Sequence, residues 1–171
     1  LVMSLGQDMA YIREYHAAED KPALFKTIVL LPLSLVAAVC VALLFQLERP
    51  AQCVFYLPEA PLGLLCLIFF FTTLLARYLS VILRMQERAY AFSLSQLIPK
   101  ILILALVLAY VLFGLPKTTF NLILAYALAQ LLTVVILTLQ TRQEVSKAIR
   151  APFSFPLMKD TLRYGMPLAF G

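Results

Sequence analysis

The chain has 171 residues, of which 63% are hydrophobic and 13% are charged, and its formal net charge is +5 at neutral pH. Soluble domains have about 45–50% apolar and about 25% charged residues, so this composition excludes an ordinary soluble domain. Most aromatic residues lie inside or beside apolar runs rather than on a basic face, which argues against a nucleic-acid-binding protein.

Four apolar stretches long enough to cross a membrane as helices follow one another along the chain. At 1.5 Å per residue, about 20 residues cross the hydrocarbon core of a bilayer. The runs are continuous and lack the alternation of barrel strands, so the predicted fold class is all-α, a single polytopic transmembrane helical bundle. The complete spans are 24–45, 61–83, 94–113 and 119–139, with partial spans at 1–15 and 164–171 and an amphipathic interfacial helix at 155–163.

The numbers of Lys and Arg alternate between the polar segments that separate these spans. From the N-terminus, the segments together with the span ends that border them hold 3, 1, 4, 1 and 5 basic residues, which accounts for all 14. Lys and Arg are retained on the cytoplasmic side of polytopic proteins. The pattern therefore predicts a multi-pass protein whose loops 16–23, 84–93 and 140–163 are cytoplasmic.

The cysteine and histidine residues give no sign of a metal or redox site. Cys40 and Cys66 fall inside predicted spans, Cys53 lies in an outer loop, and no two cysteines form a CxxC pair. The single histidine, His16, lies in a polar turn. The sequence therefore predicts no metal ion and no cofactor.

Polar residues within the spans are the candidate functional residues, because ionisable groups inside a membrane are costly. Arg77 lies about two turns inside the second complete span, Lys100 one turn inside the third, and Gln130 near the middle of the fourth. Asp8 is the one acid expected inside a span, and Arg13 follows it at an inner helix end. Each also has a structural interpretation, namely contact with lipid headgroups, hydration of a helix end, or hydrogen bonding between helices.

Three motifs resemble a known family. They are LGQDMAYIREY at 5–15, LRMQERAYAFSLSQLIPK at 83–100 and LRYGMPLAFG at 162–171. Their order, spacing and orientation are similar to those of the lipid-linked oligosaccharide and O-antigen flippases. These flippases belong to the multidrug/oligosaccharidyl-lipid/polysaccharide exporter superfamily.

The resemblance implies a transporter of twelve to fourteen helices in two pseudo-symmetric bundles, of which this chain is a fragment covering most of the N-terminal half. Half a bundle is not expected to work alone. The implied activity is not enzymatic: an undecaprenyl-pyrophosphate-linked oligosaccharide moves from the inner to the outer leaflet of the bacterial inner membrane. The implied mechanism is alternating access, and the partners are membrane lipids and a coupling cation, H⁺ or Na⁺.

With that cargo, the polar residues gain specific expected roles. Arg13, Arg77, Lys100 and Gln130 are the expected substrate-binding residues, because cations offset the charge of pyrophosphate and the fork of Arg binds two of its oxygens. Asp8 is the expected site for the coupling cation.

Two other functions are considered. A drug/cation antiporter of the same superfamily needs an acidic cavity, whereas the ionisable residues inside these spans are mainly basic. A membrane-embedded glycosyltransferase or polymerase needs catalytic acids and usually a large outer loop. Glu48 and Glu59 are the only acids in the short outer loops, and no nucleophile–base pair is present in the sequence.

Overall fold

The computed structural model of the chain describes residues 6–56, 59–114, 116 and 118–170, with side chains described as far as residue 163. These residues form seven helices and no strand, which confirms the predicted all-α class. Residues 1–5 of the predicted partial span 1–15, and residue 171 of the span 164–171, lie outside the described residues. The helices are α1 Gln7–Glu14, α2 Lys21–Leu44, α3 Glu48–Phe55, α4 Ala60–Met85, α5 Ala89–Leu112, α6 Thr119–Arg150 and α7 Phe155–Phe170.

Four of these helices, α2, α4, α5 and α6, are long and apolar enough to cross a membrane. The pairing of α4 with α6 is the most extensive contact between helices in the described part of the chain. The two helices run in the same direction, because their early turns meet in one cavity and their later turns meet in another. The α5 helix lies against both and is the least buried of the four.

Local sequence signals fix the ends of several helices. The Asp20 carboxylate accepts a hydrogen bond of 3.0 Å from the Ala23 N–H at the start of α2, where Pro22 occupies the first turn. The Thr118 side chain accepts a longer bond, 3.3 Å, at the start of α6. Gly114 follows the end of α5 with φ = 63°, a left-handed conformation that glycine adopts without strain.

The short amphipathic helix α3 occupies the connection between α2 and α4 and packs against α4. This connection approaches α4 so closely that only a glycine fits at position 63. A Cβ atom at Gly63 would overlap the backbone carbonyl oxygen of Leu47. The absence of a side chain there allows α3 to lie against α4.

We expect Gly63→Ala to lower the stability of the fold. The added methyl group meets backbone atoms, which cannot rotate away as a flexible side chain can, so the penalty should be about 1–3 kcal/mol. The measurement is the melting temperature of the purified protein in detergent. The control is Leu64→Ala, which trims the neighbouring, exposed side chain. Equal melting temperatures for Gly63→Ala and the wild type would contradict the prediction.

The last two helices each join segments that the sequence analysis separates. The α6 helix has 32 residues, which gives it a length of about 48 Å against a hydrocarbon core of about 30 Å. It therefore continues as helix from the predicted span 119–139 into the segment predicted as the polar connection. The α7 helix is continuous from Phe155 to Phe170, so the predicted interfacial helix 155–163 continues into residues 164–170 of the next predicted span.

A group of hydrogen bonds, here called the inner clasp, fastens the start of α2 to the end of α6. Lys26 Nζ donates to the backbone carbonyl oxygens of Ile149 at 3.0 Å and Ala151 at 2.7 Å. The Ser154 N–H donates to the Thr27 hydroxyl oxygen at 3.3 Å. The last carbonyls of a helix lack partners within it and attract cations. Lys26 therefore caps α6 from a different helix.

We expect Lys26→Met to loosen the end of α6 without unfolding the bundle. Hydrogen bonds to a charged group contribute about 1.5–3 kcal/mol, so amide exchange over residues 149–154 should accelerate roughly tenfold or more. Hydrogen–deuterium exchange with mass spectrometry measures this effect. The control is Lys147→Met, since Lys147 is exposed and pairs within α6 with Glu144 at 3.1 Å. Unchanged exchange in Lys26→Met would show that the clasp does not stabilise this end.

Candidate functional site

A cavity of about 340 Å³, here called the polar pocket, lies among α4, α5 and α6. Its size falls in the range of ligand-binding cavities. Hydroxyl, amide and guanidinium groups inside a bundle of membrane-spanning helices are costly, so their convergence marks a candidate functional site. The lining residues are Thr73, Ala76, Arg77 and Ser80 of α4, Ser95, Gln96 and Pro99 of α5, and Gln130, Thr133 and Leu137 of α6.

Helical spacing in the sequence brings these side chains to the pocket. Thr73, Arg77 and Ser80 recur at intervals of four and three residues, which places them on one face of α4. Gln130 and Thr133 recur in the same way on α6. The parallel packing of α4 and α6 turns these two faces toward the same space.

The hydroxyl groups of the pocket are anchored to their own helices. Ser80, Ser95 and Thr133 each donate to a backbone carbonyl oxygen of the preceding turn, at 2.8, 2.6 and 2.7 Å. A hydroxyl that donates in this way keeps lone pairs that accept hydrogen bonds. Arg77 and the Gln130 amide supply donors. The pocket can therefore both donate hydrogen bonds to a polyhydroxylated ligand and accept them from it.

An ion pair between α1 and α4 orients the cation of the pocket. Arg77 donates from Nε at 3.1 Å and from Nη2 at 2.6 Å to the same carboxylate oxygen, Oδ2 of Asp8. The Asp8 side chain is 4% exposed and that of Arg77 is 39% exposed. Asp8 binds the Nε edge of the guanidinium, and Arg77 is one of the residues that line the pocket. A planar edge with two donors matches a phosphate or a carboxylate.

The structure brings together three of the five residues singled out from the sequence. Arg77 and Gln130 line the polar pocket, and Asp8 binds Arg77. Arg13 lies at the end of α1 with an exposed side chain 3.6 Å from the Glu14 carboxylate. Lys100 follows Pro99 of the pocket wall, but its own side chain is exposed outside the pocket.

Sequence reasoning missed the smaller polar residues of the site. Thr73, Ser80 and Thr133 line the pocket but have short side chains that are common in membrane helices, and Ser95 and Gln96 lie near the polar start of α5, so none stood out. The spacing of Thr73 and Ser80 around Arg77 is the signal that identifies the polar face of α4. Nowhere in the described part of the chain do three or more His, Cys, Asp or Glu residues group closely enough to hold a metal ion.

Fold and site together define a multi-pass membrane protein whose helices hold a polar pocket with one oriented cation. A family model described as "Polysaccharide biosynthesis protein" matches residues 1–171, and the chain belongs to that family. This assignment confirms the resemblance that the three sequence motifs carry. No curated protein and no solved structure gave a significant match.

Proposed function

We propose that this protein carries an undecaprenyl-pyrophosphate-linked oligosaccharide from the inner to the outer leaflet of the bacterial inner membrane by alternating access. The observation that supports this most directly is the guanidinium of Arg77, which lines the polar pocket and is held on its Nε edge by Asp8. Membership of the polysaccharide biosynthesis family supports the carbohydrate part of the cargo.

In this proposal the two parts of the cargo headgroup use different groups of the pocket. The pyrophosphate binds the Nη1–Nη2 edge of Arg77, which offsets part of its charge in a medium of low dielectric constant. The sugars exchange hydrogen bonds with Gln130 and with the hydroxyls of Ser80 and Thr133. In this proposal segments 16–23, 84–93 and 140–163 lie on the cytoplasmic side, so the pocket lies in the cytoplasmic half of the bundle.

Asp8 remains the proposed coupling residue, and its contact with Arg77 gives the coupling a physical basis. A proton or Na⁺ at Asp8 weakens the attraction of its carboxylate for Arg77. The guanidinium then attracts an anionic cargo more strongly, so cation and cargo each favour binding of the other.

The alternative of a drug/cation antiporter fits the pocket less well. The Asp8 carboxylate that contacts Arg77 of the pocket is paired with that cation, so the pair offers no net negative charge to a cationic drug. The hydrogen-bond donors and acceptors of the pocket suit a carbohydrate. In this function the protein carries the cargo without changing it chemically.

Complementation tests the proposed function. The intact gene is expressed in cells that lack their own polysaccharide flippase and make a matched sugar unit, and surface polysaccharide is measured by immunoblotting. Restored display supports the export of a lipid-linked oligosaccharide. Absence of display, with membrane expression verified by a tag, refutes the proposal. Drug resistance conferred by the same gene in those cells would favour the antiporter instead.

A further inference from the structure

A second cavity, here called the apolar groove, has a volume of about 390 Å³ and lies among α3, α4 and α6. Cys66 of α4, which is almost fully buried, forms part of its wall. Tyr126 supplies the one phenol among otherwise apolar side chains. The other principal wall residues are Phe55, Phe69, Phe70 and Ile123.

The apolar groove and the polar pocket follow the same faces of α4 and α6. On α4, Phe70 of the groove lies one turn from Thr73 of the pocket. On α6, Tyr126 of the groove lies one turn from Gln130 of the pocket. Residues three or four apart are neighbours on a helix surface. The two cavities therefore lie one after the other along the same faces of α4 and α6.

The chemistry of these two faces changes along the helices. Cys66 and Arg77 are eleven residues apart on α4 (77 − 66 = 11), or about 16 Å at the helical rise. A ligand that spans this distance meets a cation at one end and aromatic walls at the other. The matching chemistry is an anionic head joined to a hydrocarbon chain.

We propose that the apolar groove holds the first isoprene units of the lipid carrier while its pyrophosphate binds Arg77. This inference rests on the proposed function. It adds the hydrocarbon chain of the lipid carrier to the parts of the cargo that the protein binds. A sugar in the groove would leave most of its hydroxyls without hydrogen-bond partners, at a substantial cost for each. A hydrocarbon chain has no such requirement and gains from contact with the aromatic walls.

The test compares three probes on the intact protein in nanodiscs: inorganic pyrophosphate, farnesyl diphosphate and farnesol. Affinities are measured by isothermal titration calorimetry. Farnesyl diphosphate should bind at least tenfold more tightly than pyrophosphate, and farnesol alone should bind weakly. Cys66→Phe fills the groove and should remove the tenfold advantage while the affinity for pyrophosphate stays unchanged.

The matched control is Cys40→Phe, the same substitution on α2, where Cys40 is partly exposed and lines neither cavity. Equal affinities of the wild type for both phosphates, or equal effects of the two Phe variants, would overturn the inference. If Cys66→Phe also loses pyrophosphate binding, Phe70→Ala provides the test instead. It removes one wall of the apolar groove and should lower the affinity for farnesyl diphosphate but not for pyrophosphate.

These outcomes separate the inference from the function on which it rests. The first outcome is pyrophosphate binding that depends on Arg77 but gains no affinity from the farnesyl group. This outcome leaves the proposed function intact and refutes the inference. Absence of binding by either phosphate, together with failed complementation, refutes both.

Discussion

Replacing Arg77 with Ala is expected to abolish surface polysaccharide while the protein stays in the membrane. Each hydrogen bond between the guanidinium and a phosphate contributes about 1.5–3 kcal/mol. Loss of both bonds of the Nη1–Nη2 edge should therefore lower cargo affinity roughly a hundredfold or more. Quantitative immunoblotting of surface polysaccharide measures the effect, normalised to the amount of tagged protein. Arg77→Lys keeps the charge but not the fork and should retain a small part of the activity.

Two further variants separate binding from folding. Arg84→Ala removes an exposed cation two turns later on α4 and should leave display near the wild-type level. Arg77→Ala leaves the buried Asp8 carboxylate without this counter-ion, which costs stability. The double variant Asp8→Asn/Arg77→Met is neutral at both positions and should fold, yet it should also lack display. Full display from the double variant would remove Arg77 from the mechanism.

Replacing Asp8 with Asn is expected to tighten binding of pyrophosphate and to slow transport. Asn has the shape of Asp and can still accept a hydrogen bond from Arg77, but it no longer neutralises the guanidinium. The Asp8 carboxylate also repels a phosphate bound to the other edge of the guanidinium. Two unit charges about 6 Å apart interact by nearly 3 kcal/mol at an effective dielectric constant of about 20. Removal of even a screened fraction of this repulsion should raise the affinity for pyrophosphate roughly tenfold. Cargo that binds more tightly leaves more slowly, which lowers the turnover. Calorimetry with pyrophosphate and the display assay measure the two effects.

Glu14→Gln provides the matched control for this substitution. It also neutralises an acid of α1, but Glu14 contacts the exposed Arg13 rather than the pocket. Neither affinity nor display should change in this variant. A loss of pyrophosphate affinity in Asp8→Asn would contradict the prediction and would mean that the carboxylate acts mainly by placing Arg77.

Hydropathy and charge predicted the helical class and four helices able to span a membrane, because a run of about twenty apolar residues is stable in a bilayer mainly as a helix. They did not predict where α6 ends. The charged residues after 139 mark the limit of the apolar span, but the helix continues to Arg150 with an internal Glu144–Lys147 pair. Hydropathy locates the edge of a membrane, whereas the end of a helix depends on capping and on neighbouring helices.

The candidate site was predictable in part. Arg77 and Gln130 stood out because polar groups are rare in membrane spans. Asp8 stood out as well, but its pairing with Arg77 was not predictable, because the two residues are 69 positions apart and only the packing of α1 on α4 joins them. Lys26 presented a similar difficulty: in the sequence it is one more basic residue near a cytoplasmic loop, and only the fold shows it capping α6.

Because α6 is long, a small tilt of the helix moves its end by a large distance. A tilt of about ten degrees around its middle would move its tip by roughly 4 Å, given its length of about 48 Å. The inner clasp joins that tip to α2, so the two helices would have to swing together, and α7 begins immediately beyond the joint. A small rotation near the polar pocket would in this way become a larger displacement where the chain passes into α7.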